Sequence, residues 1–249
     1  MDTTAPSFDD IVQPRAGAAR TRAEQLFDDI SEAIIRGDLR PGSKISEPVL
    51  ARQYDVSRGP LREALHRLQE RRLVTRIPHV GPRVISLSSQ VLQELFIARE
   101  ALEGMTAREA ARSGSAAEIA EIRSLHESNV RSVEGGDQSP PYVQGSFDQD
   151  FHFLIARASH NPTLTDLLCT DMNLLLRFYR ARLRHLVGRV PRIVIEHRRI
   201  VEALEERDPE MAEAHMRRHI AAARQALGAF LSTAETNGAT IWFGYGADA

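Results

Sequence analysis

The sequence predicts a mainly α-helical protein: an N-terminal winged helix-turn-helix, with three helices and a small β-hairpin, followed by an all-α six-helix bundle. One observation is the stretch 46–83, whose patterns are those of helix, tight turn, basic helix and hairpin, in that order. The other is the chain beyond residue 89, where apolar residues recur at helical spacing without a strand pattern. These patterns predict a flexible segment at 1–20, the winged helix at 21–87, the bundle at 88–236 and a tail at 237–249.

The first and third helices of the winged helix have well-defined ends. Helix one runs from about residue 21 to residue 36, because Gly37 supplies a C-terminal stop. The third helix begins after Ser57, which is well placed as the N-cap, and Pro60 is tolerated because first-turn amides have no helical partner. Apolar residues of this helix recur at i, i+4 and i+7, which predicts one packed face: Leu61, Leu65 and Leu68.

The remaining surface of the third helix carries arginines. Arg58 and Arg62 are four residues apart, so both project from its first turns, where the edges of a DNA major groove would be reached. A planar guanidinium bonds guanine O6 and N7 together, which a lysine ammonium does not do in one fixed geometry. Residues 57–83 contain seven Arg and two Glu, a formal charge of +5, whereas the whole chain is −2. The positive charge is therefore concentrated where DNA phosphates would be contacted.

A β-hairpin is predicted after this helix. Residues 73–77 suit a short strand, residues 78–82 carry turn formers around Gly81, and residues 83–85 return antiparallel. A hairpin in this position would be the wing of a winged helix.

These motifs resemble the GntR family of bacterial transcription regulators. The resemblance covers residues 22–87 and rests on IRGDLRPG at 35–42, LA at 50–51, VSRGPLREAL at 56–65, and the leucines that follow at 68 and 73. It implies that Arg58 and Arg62 contact DNA and that Gly81 is the wing-tip glycine. Pro48 departs from the family, because some members carry a DNA-contacting arginine there, and we expect Arg52 to compensate. The residues expected to contact a double-stranded DNA operator are Ser57, Arg58, Gly59, Pro60, Arg62, Arg52, His79 and Gly81.

Composition limits the class of protein. A chain of 249 residues with 42% hydrophobic and 27% charged residues is long enough for two globular domains. The single cysteine, Cys169, has no partner for an internal disulfide, which favours a reducing cytosol and a structural role. The first 20 residues do not read as a secretory signal, and no apolar stretch is long enough to cross a bilayer. We therefore expect a cytoplasmic protein with no membrane partner.

Six helices are predicted in the bundle, near 89–113, 116–134, 145–159, 163–187, 190–207 and 209–235. Their breaks have local causes in glycine and proline, at Gly114, the loop 135–141, Asn161-Pro162, Gly188 and Asp208-Pro209. A bundle of this kind holds a ligand or a metal in its interior, between facing helices.

An acid and three histidines are candidates for such a site. Asp148 and His152 are at i and i+4, on one helical face, and His197 and His219 lie on helices with apolar neighbours that turn them inward. Three imidazoles and one carboxylate suit a divalent ion such as Zn²⁺, Ni²⁺ or Mn²⁺ and leave open positions for a carboxylate effector. His215, four residues before His219, is a rival ligand, although an exposed or hydrogen-bonded histidine is the favoured interpretation there.

The second half of the chain resembles the FCD ligand-binding domain of the FadR branch of the GntR family. The matching residues are Arg99 and Glu103, Asp148, Phe151 and His152, Asn161-Pro162, Glu196-His197, and Asp208 followed by His219. The resemblance implies a metal site formed by Asp148, His152, His197 and His219. Arg99 is a candidate clamp for an effector carboxylate, and an ion pair with Glu103 at i+4 is an equally good interpretation.

Together these features predict a homodimeric transcription regulator, not an enzyme. Its bundle would bind a divalent metal and a small organic acid, and this would change how two winged helices engage a pseudo-palindromic operator. Most members of the family are repressors, so we expect this protein to repress transcription and the effector to relieve the repression. One alternative is a winged-helix structural protein with no effector, and another is a metal-dependent hydrolase that uses the open metal positions to activate water.

Overall fold

The fold is described from a computed structural model, which defines residues 20–86, 89–135, 146–182 and 190–236. The described chain divides into two compact units. One is built on residues 20–86 and also takes in Leu174–Phe178, and the other contains most of the residues from 89 to 236. The predicted flexible segment and C-terminal tail lie outside the described residues, apart from Arg20.

The first unit is a winged helix-turn-helix, as the sequence predicts. Its elements in chain order are α1 (Arg22–Arg36), α2 (Glu47–Gln53), α3 (Arg58–Glu70), β1 (Val74–Ile77) and β2 (Gly81–Val84). The two strands pair antiparallel, with Val74 opposite Val84 and Ile77 opposite Gly81. The apolar faces of α1 and α3 pack together beneath the hairpin, and the residues with 0% exposure there are Leu26, Ile30, Ile34, Leu61, Ala64, Leu68 and Leu73.

Helix α1 is fixed at both ends by local interactions. Thr21 is its N-cap and forms a capping box with Glu24, in which each side chain bonds the other residue's backbone amide. Gly37 ends the helix in the left-handed conformation, at φ 97°, and its amide donates to the carbonyl of Ala33. The predicted bounds of this helix are therefore confirmed within one residue.

The hairpin exists, but its return strand begins earlier than predicted. The sequence places Pro82 in the turn, whereas β2 already begins at Gly81. Proline lacks an amide donor, yet here its carbonyl accepts a hydrogen bond from the Ile45 amide at 2.8 Å, so the residue is used within the sheet. The tight turn that remains needs left-handed backbone at His79, φ 62°, and at Gly81, φ 100°.

The second unit is helical throughout its described part. Its elements are α4 (Ser89–Ser113), α5 (Ala116–Glu134), α6 (Ser146–Ala158), α7 (Pro162–Asp166), a π-helical turn (Leu167–Asp171), α8 (Asn173–Arg182), α9 (Val190–Glu205) and α10 (Pro209–Thr236). Within α8, Leu174–Phe178 are grouped with the first unit. The predicted bounds agree within about two residues for five of the six predicted helices. The long helices α4 and α10 lie side by side, α6 packs against α4, and α9 packs against both. Helix α5 packs in turn against α6 and α9. In the described part, no helix is both long and apolar enough to cross a bilayer.

The prediction of one continuous helix at 163–187 is wrong. The Asn161 side chain accepts from the Leu164 amide, which caps a short α7, and Pro162 occupies the first turn. A π-helical turn follows, in which the Met172 amide reaches the Leu167 carbonyl at 3.1 Å, five residues back. Helix α8 then starts afresh at Asn173, and residues 183–187 lie outside the described part of the chain. Apolar spacing alone does not reveal a one-residue insertion of this kind.

Candidate nucleic-acid interface and metal centre

Helix α3 separates a packed face from an exposed basic face, as its sequence predicts. Leu61, Leu65 and Leu68 are buried, with 4% exposure or less. Arg58 and Arg62 are exposed on the first two turns of the same helix, and 62% of the Arg62 side chain is accessible. Both guanidiniums are therefore available to a partner outside the protein.

Ser57 is the N-cap of α3, but its side chain makes no capping hydrogen bond. The prediction holds for the backbone position, which is extended at φ −70° and ψ 166°. The exposed hydroxyl and the first amides of α3, next to Gly59, form a helix N-terminus of the type that binds phosphate.

Two arginines of the basic stretch have structural roles instead. Arg67 is half-buried, with its guanidinium 4.9 Å from the centre of the Phe27 ring. Arg83 donates to the Gly42 carbonyl at 2.7 Å and so ties the hairpin to the loop before α2. The formal charge of +5 therefore overstates the positive charge that faces solvent.

The other candidate DNA contacts lie on the same unit as α3. Arg52 is exposed on α2, where its Nε donates to the Pro48 carbonyl at 3.3 Å. His79 is exposed at the hairpin turn, and Gly81 follows it at the start of β2. Pro60 is half-buried in the first turn of α3. These positions are on the elements that the winged-helix prediction requires, and their contact with DNA stays a prediction.

The sequence reasoning missed Glu47, an acid among these arginines. Its Oε2 lies 3.0 Å from Arg62 Nε, and its Oε1 lies 3.4 Å from Arg76 Nη2 on β1. Only 19% of its side chain is accessible. A groove of about 590 Å³ between α3 and the hairpin is lined by Glu47, Arg62, Leu65, His66, Gln69, Val74, Arg76 and Pro82.

The second unit brings three of the predicted metal ligands together. His152 on α6, His197 on α9 and His219 on α10 are buried, and ligand atoms of the three lie within 4.8 Å of one another. His197, with 0% exposure, stacks on the Phe151 ring with centroids 3.9 Å apart. Three helices thus contribute one imidazole each to a single point in the bundle.

Two carboxylates orient two of these imidazoles. The Nδ1 of His219 is hydrogen-bonded to Glu196 Oε2 at 2.8 Å. The Nδ1 of His152 lies 2.6 Å from Glu103 Oε2, away from the direction of an ideal hydrogen bond. A bare nitrogen lone pair would repel an oxygen so close, so each carboxylate favours the tautomer with its proton on Nδ1.

The opposite nitrogens of the two rings face each other. The Nε2 atoms of His152 and His219 are 3.2 Å apart. With the protons held on Nδ1, two lone pairs meet, which is favourable only when a cation lies between them. Two nitrogens bound to a tetrahedral Zn²⁺ at about 2.0–2.1 Å would be about 3.3 Å apart, so this spacing fits a metal ion.

The fourth predicted ligand and the rival histidine lie near this cluster in the sequence. Asp148 is on α6, four residues before His152, and its side chain lies outside the described part of the chain. His215 is half-buried on α10 and is not among the clustered histidines. Burial lowers the pKa of His215, and Arg218 and Arg199 add to this effect.

Arg99 forms an ion pair with Glu103, which is one of the two roles that the sequence left open for it. Both side chains are buried, with residue exposures of 2% and 4%, and Arg99 Nε contacts Glu103 Oε1 directly. Burial by itself raises the pKa of Glu103, but Arg99 and then His152 outweigh it, so this pKa lies well below its usual range. Glu103 is therefore an anion that joins Arg99 to His152.

Cys169 lies in the π-helical turn and is partly buried. Burial raises the pKa of its thiol to about 12, and the charges of Glu103 and Asp166 act in the same direction. The neutral thiol is a poor nucleophile and a poor metal ligand, which is consistent with the structural role expected from the sequence.

Comparison with known families accounts for both halves of this arrangement. Residues 22–84 match the GntR family of bacterial regulatory proteins. Residues 94–222, just over half of the chain, match the FCD domain. The chain belongs to the GntR family. Its FCD domain places it in the FadR branch, as the resemblance in the sequence implies.

Relatives of this GntR regulator are themselves transcription regulators. The "Probable D-xylose utilization operon transcriptional repressor" of Paenarthrobacter nicotinovorans is 32% identical, and the match covers 81% of this chain and 87% of that protein. The HTH-type transcriptional repressor GlaR of Escherichia coli K12 is 31% identical, and the match covers 75% of this chain and 87% of that protein. The Glc operon transcriptional activator of the same strain is 28% identical, and the match covers 81% of this chain and 87% of that protein. The protein is a DNA-binding regulator and not an enzyme.

Two solved structures share this fold. A GntR regulator from Rhodococcus sp. RHA1 superposes with a TM-score of 0.63 at 25% identity, over 84% of this chain and 99% of that one. McbR/YncC of E. coli superposes with a TM-score of 0.65 at 22% identity, over 86% of this chain and 100% of that one. The second likeness concerns the fold alone.

Proposed function

We propose that this GntR regulator is a cytoplasmic homodimeric repressor whose FCD domain binds a divalent metal and a small organic acid, and that the acid weakens operator binding. Two winged helices related by a two-fold axis would read two half-sites about one helical turn apart. The acid must bind one arrangement of the dimer more tightly than the other, because an effector with equal affinity for both would shift nothing. The relatives include two named repressors and one named activator, so repression is itself part of the proposal.

The exposed arginines of α3 support the DNA-binding half of this proposal. Arg58 and Arg62 are free of the packed face, and the Ser57 hydroxyl makes no capping bond. We assign base contacts to the two arginines, and phosphate contacts to Ser57 and the neighbouring amides, because guanidiniums match guanine edges and helix N-termini match phosphate.

The three-histidine cluster is the observation that carries the effector half. Burial, convergence and the carboxylates behind two of the rings are features of a metal site with its outer shell in place. Asp148 would be the fourth ligand. Three nitrogens and one oxygen leave coordination positions on Zn²⁺, Ni²⁺ or Mn²⁺ that a carboxylate effector would fill. Effector binding by Arg99 stays a prediction, and its observed partner is Glu103.

An exposed apolar strip on α4 supports the homodimer. Ile97, Ala101 and Met105 follow one another at i, i+4 and i+8, and Ile97 and Met105 are 55% and 40% exposed. A large apolar side chain gains most from burial when a second helix covers it. We propose that a second copy of this chain covers the strip.

The full proposal is tested by gel shift with genomic fragments that flank the gene, using metal-loaded protein with and without candidate organic acids. We expect one fragment to bind in preference to random DNA at moderate salt, and one acid class to release it. Binding with no sequence preference would contradict the proposal. Sequence-specific binding that neither metal nor any acid changes would favour a regulator without an effector.

Replacing Arg62 with alanine is expected to weaken specific binding by about 1–3 kcal/mol, the usual value of a bidentate base contact. The loss should appear with the selected operator and be small with random duplex DNA. Titration of both duplexes by fluorescence anisotropy at one salt concentration measures it.

Arg36→Ala is the matched control, because Arg36 is an exposed arginine in the last turn of α1 that pairs with Asp38. It should leave the ratio of the two affinities unchanged. An Arg62→Ala loss of equal size on both duplexes would make Arg62 a phosphate contact instead.

Replacing Glu196 with glutamine is expected to weaken metal binding about 10-fold to 100-fold, as is usual when an outer-shell carboxylate is removed. The Glu196 carboxylate is hydrogen-bonded to His219 Nδ1, so its loss removes the force that presents Nε2 to the ion. Competition titration against a chromophoric chelator measures the change. Glu202→Gln, an exposed acid on the same helix α9, should bind metal as wild type does, and equal behaviour of the two variants would contradict the assignment.

A further inference from the structure

An acidic side chain contacts two arginines on the proposed DNA-binding surface. Glu47 is the first residue of α2, and its carboxylate contacts Arg62 on α3 and Arg76 on β1. A negative charge near DNA phosphates weakens binding by itself. Its presence between two exposed arginines therefore calls for a compensating role.

We propose that Glu47 is a positioning residue for base recognition, which fixes the orientation of the Arg62 guanidinium before DNA arrives. This inference rests on the proposed function, in which Arg62 reads a base. It extends that function by assigning part of the sequence specificity to an acid that need not touch DNA.

The contact geometry supports this role. Glu47 Oε2 accepts from Arg62 Nε at 3.0 Å, on the inner edge of the guanidinium. The two terminal nitrogens, Nη1 and Nη2, are the pair that bonds guanine O6 and N7 in parallel. A carboxylate on the Nε edge therefore restrains the planar group without using the donors that read the base.

The burial of Glu47 makes it a suitable anchor. Its side chain is 19% accessible, whereas those of Arg62 and Arg76 are 62% and 59% accessible. A long exposed arginine otherwise loses rotamer freedom when it binds DNA, and a prior restraint reduces that loss. Glu47 is therefore the most buried of the three side chains, and the two arginines are the exposed ones.

The second contact links the wing to the same anchor. Glu47 Oε1 lies 3.4 Å from Arg76 Nη2, and Arg76 lies on β1 opposite Pro82. One carboxylate thus coordinates the arginine of the recognition helix and an arginine of the hairpin. Both line the groove of about 590 Å³ between these elements.

The test compares Glu47→Gln with wild type on two probes: a duplex that the full-length wild-type protein selects from a random library, and an unselected duplex of equal length. Positioning predicts that the ratio of selected to unselected affinity falls about fivefold or more, the lower range for loss of a bidentate base contact. The preference at one base pair of the selected site should also relax.

Two further variants separate positioning from simple charge. Glu63→Gln removes the same charge from an exposed position on α3, and it should leave the affinity ratio unchanged. In an Arg62→Ala background, Glu47→Gln should no longer change the ratio, because the group that it positions is absent. Circular dichroism melting checks that each variant is folded. If Glu47→Gln does not fold, Glu47→Asp replaces it in the same comparison, because it shortens the side chain but keeps the charge.

Tighter binding of Glu47→Gln to both duplexes by the same factor, as for a removed repulsive charge, would overturn the inference. So would an undiminished Glu47→Gln effect in the Arg62→Ala background. A selection in which wild type enriches no sequence would instead overturn the proposed function on which the inference rests.

Discussion

Replacing Glu103 with alanine is expected to lower the free energy of unfolding by about 3–5 kcal/mol, the usual cost of removing one partner from a buried ion pair. The Arg99 guanidinium, 2% exposed, would lose the carboxylate that it contacts. His152 would also lose the anion 2.6 Å from its Nδ1. Denaturant unfolding of chelator-treated protein measures the change without a contribution from metal.

The control for this prediction lies on the same helix. Glu109 forms an ion pair with Arg112 at i+3, and the Arg112 side chain is 47% accessible. Glu109→Ala should therefore change the free energy of unfolding by less than about 1 kcal/mol. Arg99→Leu with Glu103→Leu should recover much of the loss, because an apolar pair leaves no buried charge without its counterion. Similar losses for Glu103→Ala and Glu109→Ala would show that the buried pair has no special role.

The fold followed from the sequence to the extent that local chemistry determined it. The predicted stop at Gly37 ends α1, and the predicted break at Gly114 lies between α4 and α5. Leu61, Leu65 and Leu68 predicted the packed face of α3, and helical spacing predicted the bundle. Each of these patterns acts within a few residues, so no knowledge of the tertiary structure was needed.

The interactions that sequence patterns do not give are those between distant residues. Glu47 reaches Arg62 and Arg76, which are 15 and 29 positions away. No periodicity connects these positions, and an acid in the first turn of a short helix is explained as well by the helix dipole. Asp55, Glu63 and Glu70 lie closer to the basic segment or within it, so sequence position alone does not single out Glu47.

The candidate metal centre was also predicted only in part from the sequence. The residue types and spacing predicted the four candidate ligands, and the structure brings together the three histidines whose side chains it describes. The spacing offered Glu103 as a partner of Arg99, and the structure has this contact together with a second one, to His152, that the spacing did not predict. A single carboxylate with two oxygens serves two neighbours, which requires α4 and α6 to pack at that point. This is a tertiary property that no short segment encodes.

Replacing His197 with alanine is expected to abolish the stabilisation that a divalent metal gives to wild type. Zn²⁺, Ni²⁺ or Mn²⁺ at about 100 to 1,000 times its dissociation constant should raise the free energy of unfolding of chelator-treated wild type by about 2.7–4.1 kcal/mol. His197 has 0% exposure and is stacked on Phe151, so its imidazole is fixed toward His219, with ring centroids 4.7 Å apart. A site that has lost one of its three clustered nitrogens should hold the ion much more weakly.

The increment caused by metal is the quantity to compare, because His197→Ala also leaves a cavity that lowers stability without any metal. His215→Ala is the matched control, since His215 lies one turn from His219 on α10 but outside the cluster. That variant should keep both the increment and the metal content measured by elemental analysis. If His215→Ala loses the ion and His197→Ala keeps it, the ligand set is wrong. If wild type gains nothing from any of the three ions, the two Nε2 atoms 3.2 Å apart share a proton and not a metal.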